Sequence, residues 1–335
     1  MRTSWSWIAC VLLLLPVLAA GQQEETEEIV VTGKLPGPGM WKVSNGEHAL
    51  WIFTVFSPVP RDMVWESRRV DAVIARADEF IEMPGTDVSV SPLVLLNPIN
   101  YFRGYRLAKR LSRNPDDKPL KEVLPPELYQ RFEALKALYF PKDKDIEQLR
   151  PVSAGQNMVR EIQQQNGLMQ NNDIMNRIKR LVGKKRGIRQ TSTLVKVKLE
   201  GGYGTLAERA EKLVNSLPSG QETACLESQI HRMESDLEEM KSRAISWAQG
   251  YVRDFRNVRF RGDEDDPCLV MLMASSENQT ITELMKQSQQ QWLAAADKAL
   301  ASNQTTFAVL NISEMFRENG LLAQLKAKGY EVKEP

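Results

Sequence analysis

From Ala49 to Phe56 the chain reads ALWIFTVF, apolar at every position except Thr54, and Ser57-Pro58 and Pro60 close the run. A short unbroken apolar run bounded by turn residues is the pattern of a strand buried on both faces. Val70, Val73, Ile74 and Ala77 follow at helical spacing, and Phe80 to Met83 predicts a second short strand ended by Pro84-Gly85. Strand, helix and strand within about 35 residues is the size of a βαβ unit, so the two strands are expected to run parallel.

The middle of the chain switches to helical periodicity. Pro125-Pro126-Glu127 opens a helix whose apolar stripe is Leu128, Phe132, Leu135, Leu138 and Tyr139, up to Pro141. Ile174 to Val182 predicts another, ended by the basic run Lys184 to Gly187, whereas Thr191 to Leu199 alternates as a strand does. Glu222 to Ala248 carries Leu226, Ile230, Met233, Leu237, Met240, Ala244 and Trp247 at three- and four-residue steps, which predicts one long helix with Thr280 to Ala301 as its partner. Thr306 to Leu310 is expected as a buried strand, Leu321 to Lys328 as a helix and Tyr330 to Val332 as a last strand. The expected fold class is therefore α/β. A central mixed sheet forms from N- and C-terminal strands, around a large helical insertion at about 97–302.

The first twenty residues stand apart. Arg2 precedes an apolar run from Trp5 to Leu18 that ends in Ala19, Ala20 and Gly21, the pattern of a cleavable secretory signal over 1–20. Residues 21–40 read as a linker, acidic at first and then rich in proline and glycine, with the α/β domain over 41–335. No later segment is apolar enough to span a bilayer, so no membrane span is expected in the mature chain. Lys and Arg total 44 against 43 for Asp and Glu, a balance that excludes a nucleic-acid binder. Removal of the signal would take Cys10 with it. The pair left, Cys225 and Cys268, reads as a disulfide in an oxidising compartment, with two buried free thiols as the alternative. His48 and His231 are the only histidines, which leaves little material for a histidine-rich metal site.

Met40 to Trp51 with the strand after it, Asp71 to Glu82, Leu124 to Leu149, and Thr306 to Val332 together resemble the TraB/GumN family, which includes the animal TIKI ectoproteins. The resemblance implies two G-x-x-H motifs, at the ends of the first and last main strands. With an acid at the end of the second strand, they form a metal and catalytic set at the carboxyl edge of the sheet. This sequence departs from both. Phe53-Thr-Val-Phe56 stands in the first motif and Asn311-Ile-Ser-Glu314 in the second, Glu82 keeps the acid, and Ser288-Gln289 replaces a family-typical Arg-Asn pair before Trp292.

The motif positions Phe53, Phe56 and Asn311 are thus read as lost. Glu82 and Glu314 are the remaining catalytic candidates. No cofactor is expected, although two carboxylates on adjacent strand ends could hold a hard divalent cation weakly. The expected function is that of an exported, non-catalytic binding or accessory protein of the cell envelope, periplasmic or secreted. The alternative is a peptidase-like metal-dependent hydrolase using Glu82 and Glu314. An envelope protein or a polysaccharide is the expected partner. Glu27 to Gly33 also resembles a segment near the mature N-terminus of TonB-dependent outer-membrane receptors. Ile29, Val30 and Val31 would there add a strand to a partner's sheet edge in a Gram-negative periplasm, unless the segment is an unattached linker. The basic residues from Arg177 to Arg189 either face anionic lipid or acidic polysaccharide, or form a solvated helix end.

Overall fold

A computed structural model of the chain describes residues 37–169, 172–256, 258, 266–274 and 278–335; the expected signal and the Ile29–Val31 segment lie outside them. Strand β1 (Met40–Asn45) begins within the tract read as linker and pairs antiparallel with β2 (His48–Val55). Gly46 turns the hairpin at φ 59°, a left-handed conformation that glycine adopts without a Cβ clash. The remaining strands are β3 (Val59–Pro60), β4 (Glu79–Ile81), β5 (Gly85–Val90), β6 (Leu168–Met169), β7 (Arg189–Thr191), β8 (Leu194–Leu199), β9 (Thr305–Asn311) and β10 (Glu331–Lys333).

Six of them form a mixed sheet in the order β10-β1-β2-β9-β4-β7, in which β2, β9, β4 and β7 are parallel. The strand from the N-terminal segment and the one from the C-terminal segment thus lie side by side, with β9 between the two strands of the expected βαβ unit. Alternation along the strands feeds two cores. Phe53, Phe80, Phe307 and Val309 face one side, under the helices Arg68–Arg76, Asn172–Lys184 and Leu237–Gln249. Leu50, Ile52, Ile81, Ala308 and Leu310 face the other, under Asn278–Ser302 and Leu321–Ala327. Helices on both faces of a largely parallel sheet make the α/β architecture.

Within 97–302 the chain divides its loyalties. The helices Pro126–Tyr139, Pro151–Gln165 and Ser219–Ser235 build a core of their own around Phe132, Met158, Ile162, Leu226 and Ile230. Buried Arg150 reaches Glu222 there, its Nε 3.1 and 3.2 Å from the two carboxylate oxygens. Cys225 is joined to Cys268, Cα to Cα 4.5 Å, which ties the helix Ser219–Ser235 to Pro267–Met273. By contrast, Asn172–Lys184 and β7 belong to the central layers.

Three local expectations give way to packing. The helix expected over 222–248 breaks at Asp236, because Leu226 and Ile230 face the helical core while Ala244 and Trp247 face the sheet, and one straight helix cannot serve both. Ser235 marks the break by donating to the His231 carbonyl and to Asp236. The strand expected over 191–199 divides into β7 and β8. Pro84 has no N–H to continue the parallel ladder, so β5 and β8 leave the central sheet as a separate ribbon. Finally, the helix Asn278–Ser302 packs Trp292, Leu293, Ala296 and Leu300 on the sheet and not on the helical core.

At the amino edge of the sheet Glu79 is buried and receives bonds from Arg189 (2.6 Å), Asn303 Nδ2 (2.7 Å) and the Thr191 hydroxyl. Burial pushes its carboxyl upward, but the hydrogen bonds from Arg189, Thr191 and Asn303 with the Arg189 charge outweigh it and hold it below the ordinary 4.5. A carboxyl depressed in the folded state stabilises the fold above its unfolded value and loses that contribution as pH falls through the folded one. Glu79→Gln should therefore destabilise at neutral pH by about 1–3 kcal/mol. In urea titrations its deficit against the native chain should shrink below pH 4.5; a deficit independent of pH would refute the charged network. Removing the disulfide by Cys225→Ala with Cys268→Ala should cost up to about 4 kcal/mol on the chain-entropy estimate. The same urea titration, repeated with and without reductant on the native chain, should reproduce that loss.

Candidate functional site

The carboxyl ends of the parallel strands gather the positions singled out above. Phe56 follows β2, Asn311 ends β9, Glu314 lies in the short helix Ser313–Phe316 just beyond it, and Glu82 follows β4. The backbone is closed there, since Ile312 N donates to the Val55 carbonyl at 3.0 Å and Glu82 N to the Thr191 carbonyl at 2.9 Å. The fold brings all four positions to one edge of the sheet. Asn311 is exposed, and the side chains of Phe56, Glu82 and Glu314 are engaged in three different ways.

Phe53 is fully buried, with the rings of Trp65, Trp247 and Phe307 at 5.8, 6.0 and 6.3 Å. Phe56 packs edge-to-face on Phe255 at 5.4 Å, and Phe255 stacks on Phe316 at 6.3 Å. Trp247 is itself anchored, its indole N–H donating to the Thr54 carbonyl at 2.9 Å. Each such aromatic pair adds about 0.5–1.5 kcal/mol beyond the burial of its area. Sequence reasoning missed Trp65 and Phe255 as members of this cluster. Neither lies in a periodic run, and only the tertiary fold brings them to β2.

The two carboxylates have separate partners. Glu82 is half-buried where the chain leaves the central sheet; its Oε2 accepts from Ser192 Oγ at 3.1 Å, and Lys179 Nζ lies 3.7 Å from Oε1. Glu314 is buried, accepts the backbone N–H of Leu321 at 3.1 Å and pairs with Arg317 at 3.4 Å. It thereby satisfies a first-turn N–H of the helix Leu321–Ala327, which helices otherwise leave without an intrahelical partner. Among the described residues no three His, Cys, Asp or Glu side chains gather where one ion could be held. The residues at this edge do not fit the metal that the family resemblance implies.

The histidines lie elsewhere. His48 opens β2 at the opposite edge, its Nδ1 donating to the Asn303 carbonyl at 2.7 Å, and His231 is exposed on the helix Ser219–Ser235. Ser288 is buried and turns back to the Met285 carbonyl. Of the basic cluster, Arg177 pairs with Asp71, Lys179 with Glu82, Arg189 with Glu79, and Lys185 donates to the Ala75 carbonyl. Those four hold the layers together.

A cleft of about 940 Å³ opens beside Phe56, between the sheet edge and the helical core. Arg61, Arg160, Arg232 and Arg243 line it with Gln156 and Gln163, and Asp236 is the only acid among its described lining residues. Gln229 also lines it; this residue is buried and its Oε1 lies against Gly155, where a Cβ would stand 1.8 Å away. Guanidinium and amide groups around an aromatic floor can donate to carboxylate, phosphate or hydroxyl oxygens. The lining is rich in donors and poor in the carboxylates that a hard cation needs.

The model of the TraB/PrgY/gumN family matches residues 39–334, from the residue before β1 to the one after β10. No curated relative and no solved structure matches the chain. The matched span takes in the whole central sheet and both of its helical faces, and the chain belongs to the TraB/PrgY/gumN family.

Proposed function

We propose that this protein is an exported member of the family that binds its ligand in the cell envelope without transforming it. The observation that carries the reading is the aromatic cluster. Phe53 and Phe56 occupy the positions where the family resemblance calls for glycine and histidine, and their rings pack against Trp65, Trp247 and Phe255. A buried ring excludes both a ligand nitrogen and the water that a hydrolytic site requires. The donor-lined cleft next to Phe56 supports binding of an anionic or hydroxyl-rich partner, such as an acidic polysaccharide or an envelope protein. The Cys225–Cys268 bond and the apolar run after Arg2 support a periplasmic or secreted location.

A second reading, a metal-assisted hydrolase, has one observation in its favour: Glu82 and Glu314 both stand past the ends of the neighbouring strands β4 and β9. Against it, Glu314 already serves the Leu321 N–H and Arg317, and Glu82 serves Lys179 and Ser192.

Metal analysis separates the two. The purified protein, incubated with Mn²⁺, Co²⁺ or Zn²⁺ and freed of excess ion, should retain no stoichiometric metal. Its melting temperature should not change with chelator. A resident ion at a hundred times its dissociation constant would contribute about 2.7 kcal/mol, which a melt resolves, so bound metal lost in Glu82→Ala or Glu314→Ala would establish the hydrolase reading. Phe53→Ala should behave as a core deletion, lowering stability by about 3–5 kcal/mol in denaturant titrations. A loss under 1 kcal/mol would show that the ring is not the packed element described above.

A further inference from the structure

The excursion that begins after β4 carries a surface that the described residues leave uncovered. The helix Pro98–Leu111 (PINYFRGYRLAKRL) has no buried residue. Tyr101, Phe102 and Tyr105 are 70, 63 and 65% exposed, and Leu96 and Ile99 at its start are 78 and 64% exposed. At about 100° per residue, Tyr101, Phe102, Tyr105 and Lys109 share one side, whereas Arg103 and Arg110 fall on the other. The second side is the one that packs. Arg103 stands over the Tyr203 ring at 5.2 Å and Arg110 pairs with Glu211, both on the helix Tyr203–Asn215.

Along the helix itself the charge has one sign. From Val88 to Pro115 the sequence contains Arg103, Arg106, Lys109, Arg110 and Arg113 and no acid. Beside the helix lies a cavity of about 590 Å³ lined by Arg106, Lys109, Arg110 and Arg113 together with Asp116, Asp117 and Glu211. Glu211 is held by Arg110, and Asp117 lies 3.6 Å from Arg113. Exposed tyrosine and phenylalanine beside long cationic side chains suit the boundary between water and lipid. There the rings enter the headgroup layer while the cations reach phosphate.

We propose that this helix seats the protein on an anionic phospholipid surface. Tyr101, Phe102 and Tyr105 enter the headgroup region, and Arg106 and Lys109 meet lipid phosphates. A second copy of the chain is a poorer occupant, because a symmetric contact would set one acid-free cationic helix against another. The association is peripheral, since among the described residues no helix is long and apolar enough to cross a membrane. The proposal is independent of what the cleft beside Phe56 binds.

Co-sedimentation of the purified protein with vesicles tests it. Binding should appear with mixed phosphatidylglycerol and phosphatidylcholine, be absent with phosphatidylcholine alone, and weaken as salt rises. Arg106→Gln and Lys109→Gln should each lower the partition coefficient about fivefold. The triple change Tyr101→Ser, Phe102→Ser and Tyr105→Ser should lower it at least tenfold with an unaltered melt, because those rings are 63–70% exposed and Tyr101 and Phe102 pack chiefly on each other. Phe102→Trp gives a readout as the difference in emission between the variant and the native chain, which cancels the seven native tryptophans; that difference should shift to the blue on phosphatidylglycerol vesicles and not on adding inorganic phosphate. Equal binding to both lipids, no binding, or no effect of the changes would overturn the proposal. So would a concentration-dependent dimer, seen by sedimentation velocity, that the triple change abolishes.

Discussion

Strand β2 pairs with β9 residue for residue, from Ala49 with Thr305 to Val55 with Asn311, and most of the chain lies between these two strands. β2 is buried on both faces and bonded on both edges, to β1 on one side and β9 on the other. This arrangement satisfies its backbone groups, which an apolar run with both faces covered cannot leave to solvent. The cost of closing so long a loop grows only by about 0.6 kcal/mol per doubling of length, so a large insertion between the two strands is tolerable. What the insertion returns is cover for the sheet: the helices Asn172–Lys184 and Leu237–Gln249 on one face and Asn278–Ser302 on the other.

That pairing also explains the carboxyl edge. Because β2, β9, β4 and β7 run parallel, the residues after each strand emerge together, as they do at the ligand sites of open α/β sheets. In this protein the edge is filled by rings. Phe53 and Phe56 tie β2 to Trp247, Phe255 and Trp65, and the binding role proposed above rests on that packing. Function is argued from sites and not from folds, so the family match over residues 39–334 fixes the scaffold and leaves the edge to be read from its own side chains. The two ends of the sheet also differ in kind. At the amino edge a buried carboxylate, Glu79, is fully hydrogen-bonded by Arg189, Thr191 and Asn303, an arrangement that locks strand order rather than exposing reactive oxygen.

Much of this was legible in the sequence wherever a single element decides its own surroundings. The unbroken apolar run of β2, the helical spacing of Val70, Val73 and Ile74, the buried strand at Thr306 to Leu310, and the cysteine pair all follow from periodicity and composition, because a strand or helix must bury the stripe it carries. Tertiary structure alone decided where one element had two neighbours to serve. The run from Glu222 to Ala248 has the stripe of a single helix, yet it breaks at Asp236 because its halves pack on different cores. Glu79 is an ordinary charged residue in the sequence, and it becomes the hub of a buried network only when Arg189 and Asn303, more than a hundred residues away, arrive beside it. Periodicity reports which face of an element is apolar. It contains no term for which partner covers that face, and that choice is made by the packing of the whole chain.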